Sequence, residues 1–224
     1  YYENAKINRV YVDRVHVKKA FAEYTVAYNA DDPKIKLKID HTYRVAALCE
    51  RIAKAAGMCA YDVELAWLSG MLHDVGRFEQ IKRYNTFSDA DSVDHAKFGA
   101  DLLFKDGLIS TFLNGMVKCT GYKPGALEDR YSSDGVFLYD RLNKSDMEML
   151  ELAIRCHNMY RIPQGLNRRE QAFCNVLRDA DKVDIFKVNI DTPLEEIYNT
   201  TTEELMKSDI TDEVLEAFDE EHCI

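Results

Sequence analysis

Histidine and aspartate residues recur along the chain, with one or two in each segment that shows helical periodicity. The set comprises His41, His73, Asp74, His95, His157 and Asp181. Apolar residues flank several of them, such as Leu72 before His73 and Leu177 ahead of Asp181. A buried imidazole or carboxylate is costly unless it is paired or coordinated, and these groups suit iron, manganese, nickel, cobalt or zinc. A lone histidine on a helix is more often a hydrogen-bonded core residue, but the recurrence favours a metal centre between helices.

Basic residues stand beside these candidate ligands. They are Arg44, Arg77, Lys97 and Lys182. Guanidinium groups bind phosphate oxygens through a two-pronged fork, so this set is a candidate binding surface for a phosphorylated substrate. Arg77, directly after the His73-Asp74 turn, is favoured in this role, and the alternative for each is a solvated side chain paired with an acidic neighbour. Asp179 points away from Asp181 on a helix, so we interpret it as a supporting or solvent-facing group.

Apolar residues at three- and four-residue spacing predict the helices that carry these side chains. The predicted helices run from Asp40, as N-cap, to about Ala56, from Tyr61 to near Gly76, from 92–94 to 106, from Asp146 through Cys156, and from Arg168 to about Lys187. The linker Phe78–Asp94 either covers the metal site or simply joins two helices. Segment 114–143, rich in glycine, is predicted to be loop. No stretch alternates with a two-residue period, so an all-α bundle is expected.

Composition narrows the classes of partner. The chain has 224 residues and a formal net charge of −10, with a sequence pI of about 5.1. An acidic surface is a poor general partner for nucleic acid or for an anionic membrane, which favours a small substrate. The longest nearly apolar stretch, 65–72, is much shorter than the ~20 residues that cross a bilayer. We therefore expect one domain over 1–224, in the cytoplasm, without a membrane partner.

Short motifs around the candidate ligands resemble those of a known family. They read DHTYRV at 40–45, LHDVGR at 72–77, HAKFG at 95–99, CHN at 156–158 and DADKVD at 179–184. In this order they are similar to the signature of the HD-domain superfamily of metal-dependent phosphohydrolases, over about residues 36–190. The element at 95–99 resembles the subgroup that binds a second metal. The Gly-Tyr-Pro element of the cyclic-dinucleotide branch is missing, which disfavours that substrate.

The resemblance implies a fold and a site. The fold would be a bundle of five core helices around a buried metal centre, with terminal helices packed on it. His41, His73, Asp74 and Asp181 would hold the first metal, and His95 and His157 would hold the second, with Asp74 bridging both. Two divalent ions per chain, of Fe, Mn, Ni, Co or Zn, would be the cofactor. Asp74 and Arg77 would be the catalytic residues in hydrolysis of a nucleotide or other phosphate ester.

Two other functions fit the same residues. Some relatives in the superfamily oxidise substrates with O₂ at a di-iron centre built on the same ligand set. A regulatory or binding module with a non-catalytic metal site is the other alternative. Iron content and O₂ consumption discriminate the first from a hydrolase, and loss of activity on substitution of His73 or Asp74 discriminates the second.

Overall fold

Helices make up the regular structure of the chain. The computed structural model describes residues 12–29, 31–113, 142–193, 195, 197 and 200–220, and these ranges contain no β-strand. In chain order the helices are α1 (Arg14–Val26), α2 (Pro33–Ala55), α3 (Ala60–Leu72), α4 (Val75–Tyr84), α5 (His95–Ala100) with a π-helical turn (Asp101–Lys105), α6 (Ile109–Leu113), α7 (Lys144–Cys156), α8 (Arg168–Asp191), α9 (Thr202–Leu205) and α10 (Asp212–Asp219). The all-α prediction is confirmed. The predicted loop 114–143 lies outside the described residues, except for its last two.

Helix α2 begins earlier than the sequence pattern predicted. Its N-cap is Asp32, whose carboxylate accepts a hydrogen bond from the Lys34 backbone N–H at 2.8 Å. A proline follows at the first helical position, where its fixed φ suits the helix. The prediction of Asp40 as N-cap was wrong, since Asp40 is an exposed residue within the helix. The added turns bring Lys38 onto the helix one turn ahead of His41.

The second predicted helix is two helices. α3 ends at Leu72, the chain turns at the next two residues, and α4 runs from Val75 to Tyr84. Gly76 was predicted as a C-terminal stop, but it lies in the first turn of α4. The predicted linker Phe78–Asp94 is therefore helical over its first seven residues. Gly76 allows α4 and α5 to pack closely, because a Cβ on it would clash with the backbone of α5.

Helix α3 is the centre of the bundle. Every residue from Leu65 to Leu72 is buried, and α2, α7 and α8 all contact this helix. Gly70 permits the closest of these approaches, because a Cβ there would lie 2.6 Å from Ala46 Cα of α2. The C-terminal end of α3 therefore points at the place where its neighbours converge. The next two residues, His73 and Asp74, lie there and are buried.

The C-terminal helices lie at the periphery. Most side chains of α9 and α10 are exposed. Ala217 of α10 is buried. Within the described part of the chain, no helix combines the length and apolar character that crossing a bilayer requires.

Candidate metal centre

Four buried imidazoles from four helices meet in two pairs. His41 comes from the middle of α2 and His73 follows the end of α3, and their Nε2 atoms lie 3.3 Å apart. His95 opens α5 and His157 follows the end of α7, and their Nε2 atoms lie 3.1 Å apart. All four rings are at most 5% exposed. The two pairs give two adjoining positions lined by imidazole nitrogen.

Asp74 lies between the two pairs. Its Oδ2 is 3.5 Å from Nε2 of His41 and from Nε2 of His73. Its Oδ1 is 3.6 Å from Nε2 of His95 and 3.7 Å from Nε2 of His157. Each carboxylate oxygen therefore faces one pair, which is the arrangement of a ligand shared by two ions.

A second carboxylate joins only the first pair. Asp181, on α8, places its Oδ1 3.2 Å from Nε2 of His41 and 3.8 Å from Nε2 of His73. His41, His73 and Asp181 have ligand atoms close enough together to hold one ion, and so do His73, Asp74 and His157. All six predicted ligands thus come together in one buried cluster.

Carboxylates orient two of the rings. His41 donates its Nδ1–H to Asp184 at 2.6 Å, and Asp184 also accepts two hydrogen bonds from Arg44. His95 donates its Nδ1–H to Asp89 at 2.6 Å. Such partners fix the tautomer and the direction of a metal-binding histidine. Each leaves Nε2 as the free ligand nitrogen.

Backbone carbonyl groups orient the other two rings. His73 donates its Nδ1–H to the oxygen of Gly70 at 2.7 Å, and His157 does the same to Ile154 at 2.7 Å. A carbonyl only accepts, so Nδ1 carries the proton in both rings and Nε2 carries a lone pair. In all four rings the second nitrogen faces the cluster with its lone pair.

The donor set fits a cation. Burial lowers the pKa of His73 to about 3 and that of His95 to about 4, so both rings are neutral near pH 7. Neutral rings that face each other through lone pairs repel, and a metal ion placed between them turns this repulsion into ligation. Neutral imidazole is the form in which a histidine binds a divalent ion, and His73 and His95 are already in that form.

The two carboxylates remain ionised despite their burial. Burial alone would raise the pKa of Asp74, but the ammonium group of Lys38, which contacts its Oδ2, contributes most to holding it well below its usual value. Burial alone would also raise the pKa of Asp181, but the surrounding imidazoles together lower it. Both groups are therefore available as anionic ligands through the physiological pH range.

Three residues that contact the cluster were not predicted from the sequence. Lys38 donates to Asp74 Oδ2 at 2.8 Å, with its side chain 14% exposed. The signal for Lys38 was its position one helical turn before His41, which was hidden by the late predicted start of α2. Asp184 had the same signal, one turn after Asp181 on α8. Asp89 lies in the α4–α5 loop, where no periodicity marks it.

Arg77 lies at the edge of the cluster. One of its terminal nitrogens donates to Gln80, to the carbonyl of Phe87 and to Asp89 at 2.6–2.9 Å. Its Nε is 3.9 Å from Asp74 Oδ1 and is buried without a hydrogen-bond partner among the described residues. Arg77 therefore retains a buried donor close to Asp74.

The other predicted basic residues have separate positions. Lys182 pairs with Asp181 at 2.9 Å and lines a cavity over the cluster. Arg44 is bound to Asp184, and Lys97 pairs with Asp94 at 2.8 Å; the structure brings neither of them to that cavity. Arg44 acts on the cluster indirectly, by holding the carboxylate that orients a ligand. Asp179 is exposed, in agreement with its solvent-facing interpretation.

An all-helical bundle that gathers histidines and aspartates from successive helices at its buried centre defines a helical metal-binding domain. A model of the HD-domain family matches residues 39–189, which is about two thirds of the chain. The chain therefore belongs to the HD-domain family, and the resemblance seen in its motifs is confirmed. Members of this family bind divalent metals and are generally metal-dependent hydrolases. Comparisons with curated proteins and with solved structures gave no match.

Proposed function

We propose that this chain is a phosphohydrolase that uses two divalent metal ions to hydrolyse a small phosphorylated molecule. The observation that carries the proposal is the position of Asp74, with one carboxylate oxygen facing each histidine pair. A shared carboxylate between two sets of ligands is typical of sites that act on phosphate esters. Family membership supports the same reaction class.

The ligands divide between two ions. His41, His73 and Asp181 would hold the first, His95 and His157 the second, and Asp74 both. When bound, the ions supply Lewis acidity, which polarises the phosphoryl oxygens and lowers the pKa of water. The protein contributes the fixed direction of the four histidine rings, because each Nδ1–H already donates to an acceptor.

Cationic side chains that could bind the phosphate line the cavity over the cluster. Lys38, Arg77 and Lys182 line a cavity of about 360 Å³ whose wall also includes Asp74 and Asp181. An Arg fork and ammonium groups neutralise phosphoryl oxygens and hold them in one orientation. The unsatisfied Nε of Arg77 would find its acceptor there. The wall also carries three aspartates, including Asp89, so the net attraction for an anionic substrate in a protein of charge −10 would come from the bound metal ions.

In the reaction, a water oxygen forms a new bond to phosphorus and the ester P–O bond breaks. The products are inorganic phosphate and the alcohol, which takes up a proton. Because the cavity is small and the surface acidic, a small ester is favoured over a nucleic acid strand.

Metal content and turnover test this function together. The protein, purified without chelator, is expected to carry about two transition-metal ions per chain and to release phosphate from some members of a phosphate-ester panel. Asp74→Ala should abolish phosphate release, whereas Asp179→Ala, on the exposed side of α8, should not. Iron content with substrate-dependent O₂ consumption and no phosphate release would establish the di-iron oxygenase instead. Failure to bind metal would point to a non-catalytic module.

A further inference from the structure

A second cavity adjoins the metal centre. It has a volume of about 480 Å³ and lies between α2, the α4–α5 loop and α8. Its apolar wall includes Leu37, Phe87, Ile185 and Val188. Its size is within the range of small-molecule sites, of which about 300 Å³ is the lower end. We refer to it as the apolar lobe.

The apolar lobe lies directly beside the polar cavity over the metal ligands. Lys38, Arg77, Phe87 and Ile185 line both of them. The lobe also reaches His41, a ligand of the first pair. The Phe87 ring marks the junction, with Lys38 Nζ 5.3 Å and the Arg77 guanidinium carbon 5.8 Å from its centre. A molecule held at the metals by its phosphate would extend directly into the lobe.

The charges along these two cavities are segregated. The cations that line the lobe, Lys38 and Arg77, both lie on its border with the polar cavity. Beyond them the polar side chains are the uncharged Thr86, Ser88 and Asn189. The wall thus offers charge to one end of a ligand and apolar surface to the rest. A ligand with a charged body would find no opposite charge there, because the polar side chains in that part of the wall are neutral.

We propose that the substrates are phosphate monoesters with a largely apolar body, alkyl or aryl, which occupies the lobe while the phosphate lies at the metal centre. Ile185, Val188 and Leu37 are then specificity-determining residues. This inference rests on the proposed phosphohydrolase function and adds the substrate class to it. Each methylene of the body removed from water strengthens binding until the lobe is full.

A series of straight-chain alkylphosphonates tests the substrate class through binding alone. These compounds, from methyl- to octylphosphonate, carry the charged head but have no ester bond to cleave. Titration calorimetry on the manganese-loaded protein should show affinity rising about three- to fourfold per added methylene. The matching alkyl phosphates should show a falling KM with chain length, and glycerol 1-phosphate, with its hydrated body, should have a KM well above that of propyl phosphate.

Two variants on neighbouring positions of α8 separate the lobe from a general hydrophobic effect. Ile185→Asn places a polar group in the lobe at a residue that is already 36% exposed, so the fold should tolerate it. The gain per methylene should fall to less than twofold in this variant. Phe186→Ala is the matched control, because Phe186 is 72% exposed and does not line either cavity. The control should keep the wild-type gain.

The outcomes distinguish the two proposals. Equal affinity along the series, with phosphate esters still hydrolysed, would overturn the apolar substrate class and leave the phosphohydrolase standing. An undiminished gain per methylene in Ile185→Asn would also overturn the assignment of the lobe. Preference for nucleoside monophosphates over every alkyl and aryl ester would replace the proposed body with a hydrogen-bonding one. No phosphonate binding and no hydrolysis would reject both.

Discussion

Gly76 of α4 lies so close to His95 of α5 that a Cβ on Gly76 would stand 2.4 Å from the His95 carbonyl oxygen. Gly99 faces the same glycine from the next turn of α5, and its N atom would be 2.7 Å from that Cβ. Gly76 is two residues from Asp74 in the chain. The contact therefore helps to set the distance between Asp74 and His95.

Gly76→Ala should push α5 away from α4 and displace His95. The expected cost is about 1–3 kcal/mol in the free energy of unfolding, the usual range for an overpacked core. The affinity for the second metal should fall more than the affinity for the first, because His95 belongs to the second set alone. Urea unfolding and metal titration measure the two effects.

Gly57→Ala is the matched control for this substitution. Gly57 has a φ of +72°, and a Cβ added to it would have no neighbouring atom within 4 Å, so its substitution strains the backbone without a clash. It should cost about 1 kcal/mol and leave both metal affinities unchanged. Equal metal affinities in Gly76→Ala and the wild type would show that α5 is not positioned by this contact.

Asp184→Asn should weaken the first metal site. The amide cannot accept the charged hydrogen bonds of Arg44 and His41 as the carboxylate does, so the His41 ring loses its fixed direction. Substitutions of such supporting groups cost about 10- to 100-fold in metal affinity. Asp179→Asn, on the exposed face of the same helix, should have no effect. A wild-type affinity in Asp184→Asn would contradict the orienting role.

Substitution of a histidine that belongs to one pair should remove one metal ion and leave the other bound. His157→Ala should leave about one ion per chain, held by His41, His73, Asp74 and Asp181. Asp74→Ala should lower the affinity for both ions, because each histidine pair loses one carboxylate oxygen. Metal analysis after gel filtration gives the stoichiometry, and two ions retained by Asp74→Ala would refute the bridging assignment.

Stability should rise with pH between about pH 4 and 6.5 in the presence of a chelator. The pKa of His73 is about 3 and that of His95 about 4 in the folded protein, because both rings are buried, against about 6.5 in an unfolded chain. In this interval the unfolded chain binds protons that the folded chain does not. Each histidine then adds up to about 1.4 kcal/mol per pH unit to the unfolding free energy as pH rises, and nothing above pH 7.

Urea unfolding at half-unit steps from pH 4.5 to 7.5 measures this dependence. The lowered pKa of Asp74 does not add to this slope, because its contribution is already present above its unfolded value of 3.8 and is lost only at lower pH. A flat profile below pH 6.5 would mean that the two rings take up protons in the folded state.

Lys38→Met should impair substrate binding. The methionine keeps most of the apolar stem but removes the ammonium group that contacts Asp74 and faces both cavities. We expect KM for a phosphate ester to rise about tenfold or more, the loss typical of one charge-assisted hydrogen bond. Lys36→Met is the matched control on the exposed side of α2 and should leave KM unchanged. An unaltered KM in Lys38→Met would remove this residue from the phosphate site.

The sequence was sufficient for the helical class, because helical periodicity is local in the chain. The recurrence of histidine and aspartate, together with the resemblance to the HD-domain superfamily, predicted the six residues of the cluster: His41, His73, Asp74, His95, His157 and Asp181. The boundaries of the helices were harder to predict from the sequence. The sequence pattern placed the N-cap of α2 at Asp40, whereas the Asp32 cap, the proline that follows it and the burial of Ile35 begin the helix about two turns earlier. Gly76 resembled a stop signal, whereas its role depends on a helix that follows later in the chain.

Residues that act through other residues were the hardest to predict. Asp89 binds His95 from an irregular loop, and its position depends on contacts with Gln80 and Arg77 rather than on spacing. The carbonyl groups that orient His73 and His157 belong to the backbone, so residue type carries no signal for them. Arg44 was predicted as a phosphate ligand because its charge is evident from the sequence, while its partner Asp184 lies 140 residues away.

Helix α8 contributes residues to the metal centre and to the apolar lobe on successive turns. Asp181 faces the first histidine pair, Asp184 binds His41, and Ile185 and Val188 form the wall of the apolar lobe. The positions that select the substrate are thus distinct from those that hold the metal, although they share one helix. Evolution can alter what the domain accepts by single changes at 185 and 188 while the reactive centre is inherited intact, which is a route by which one scaffold diversifies.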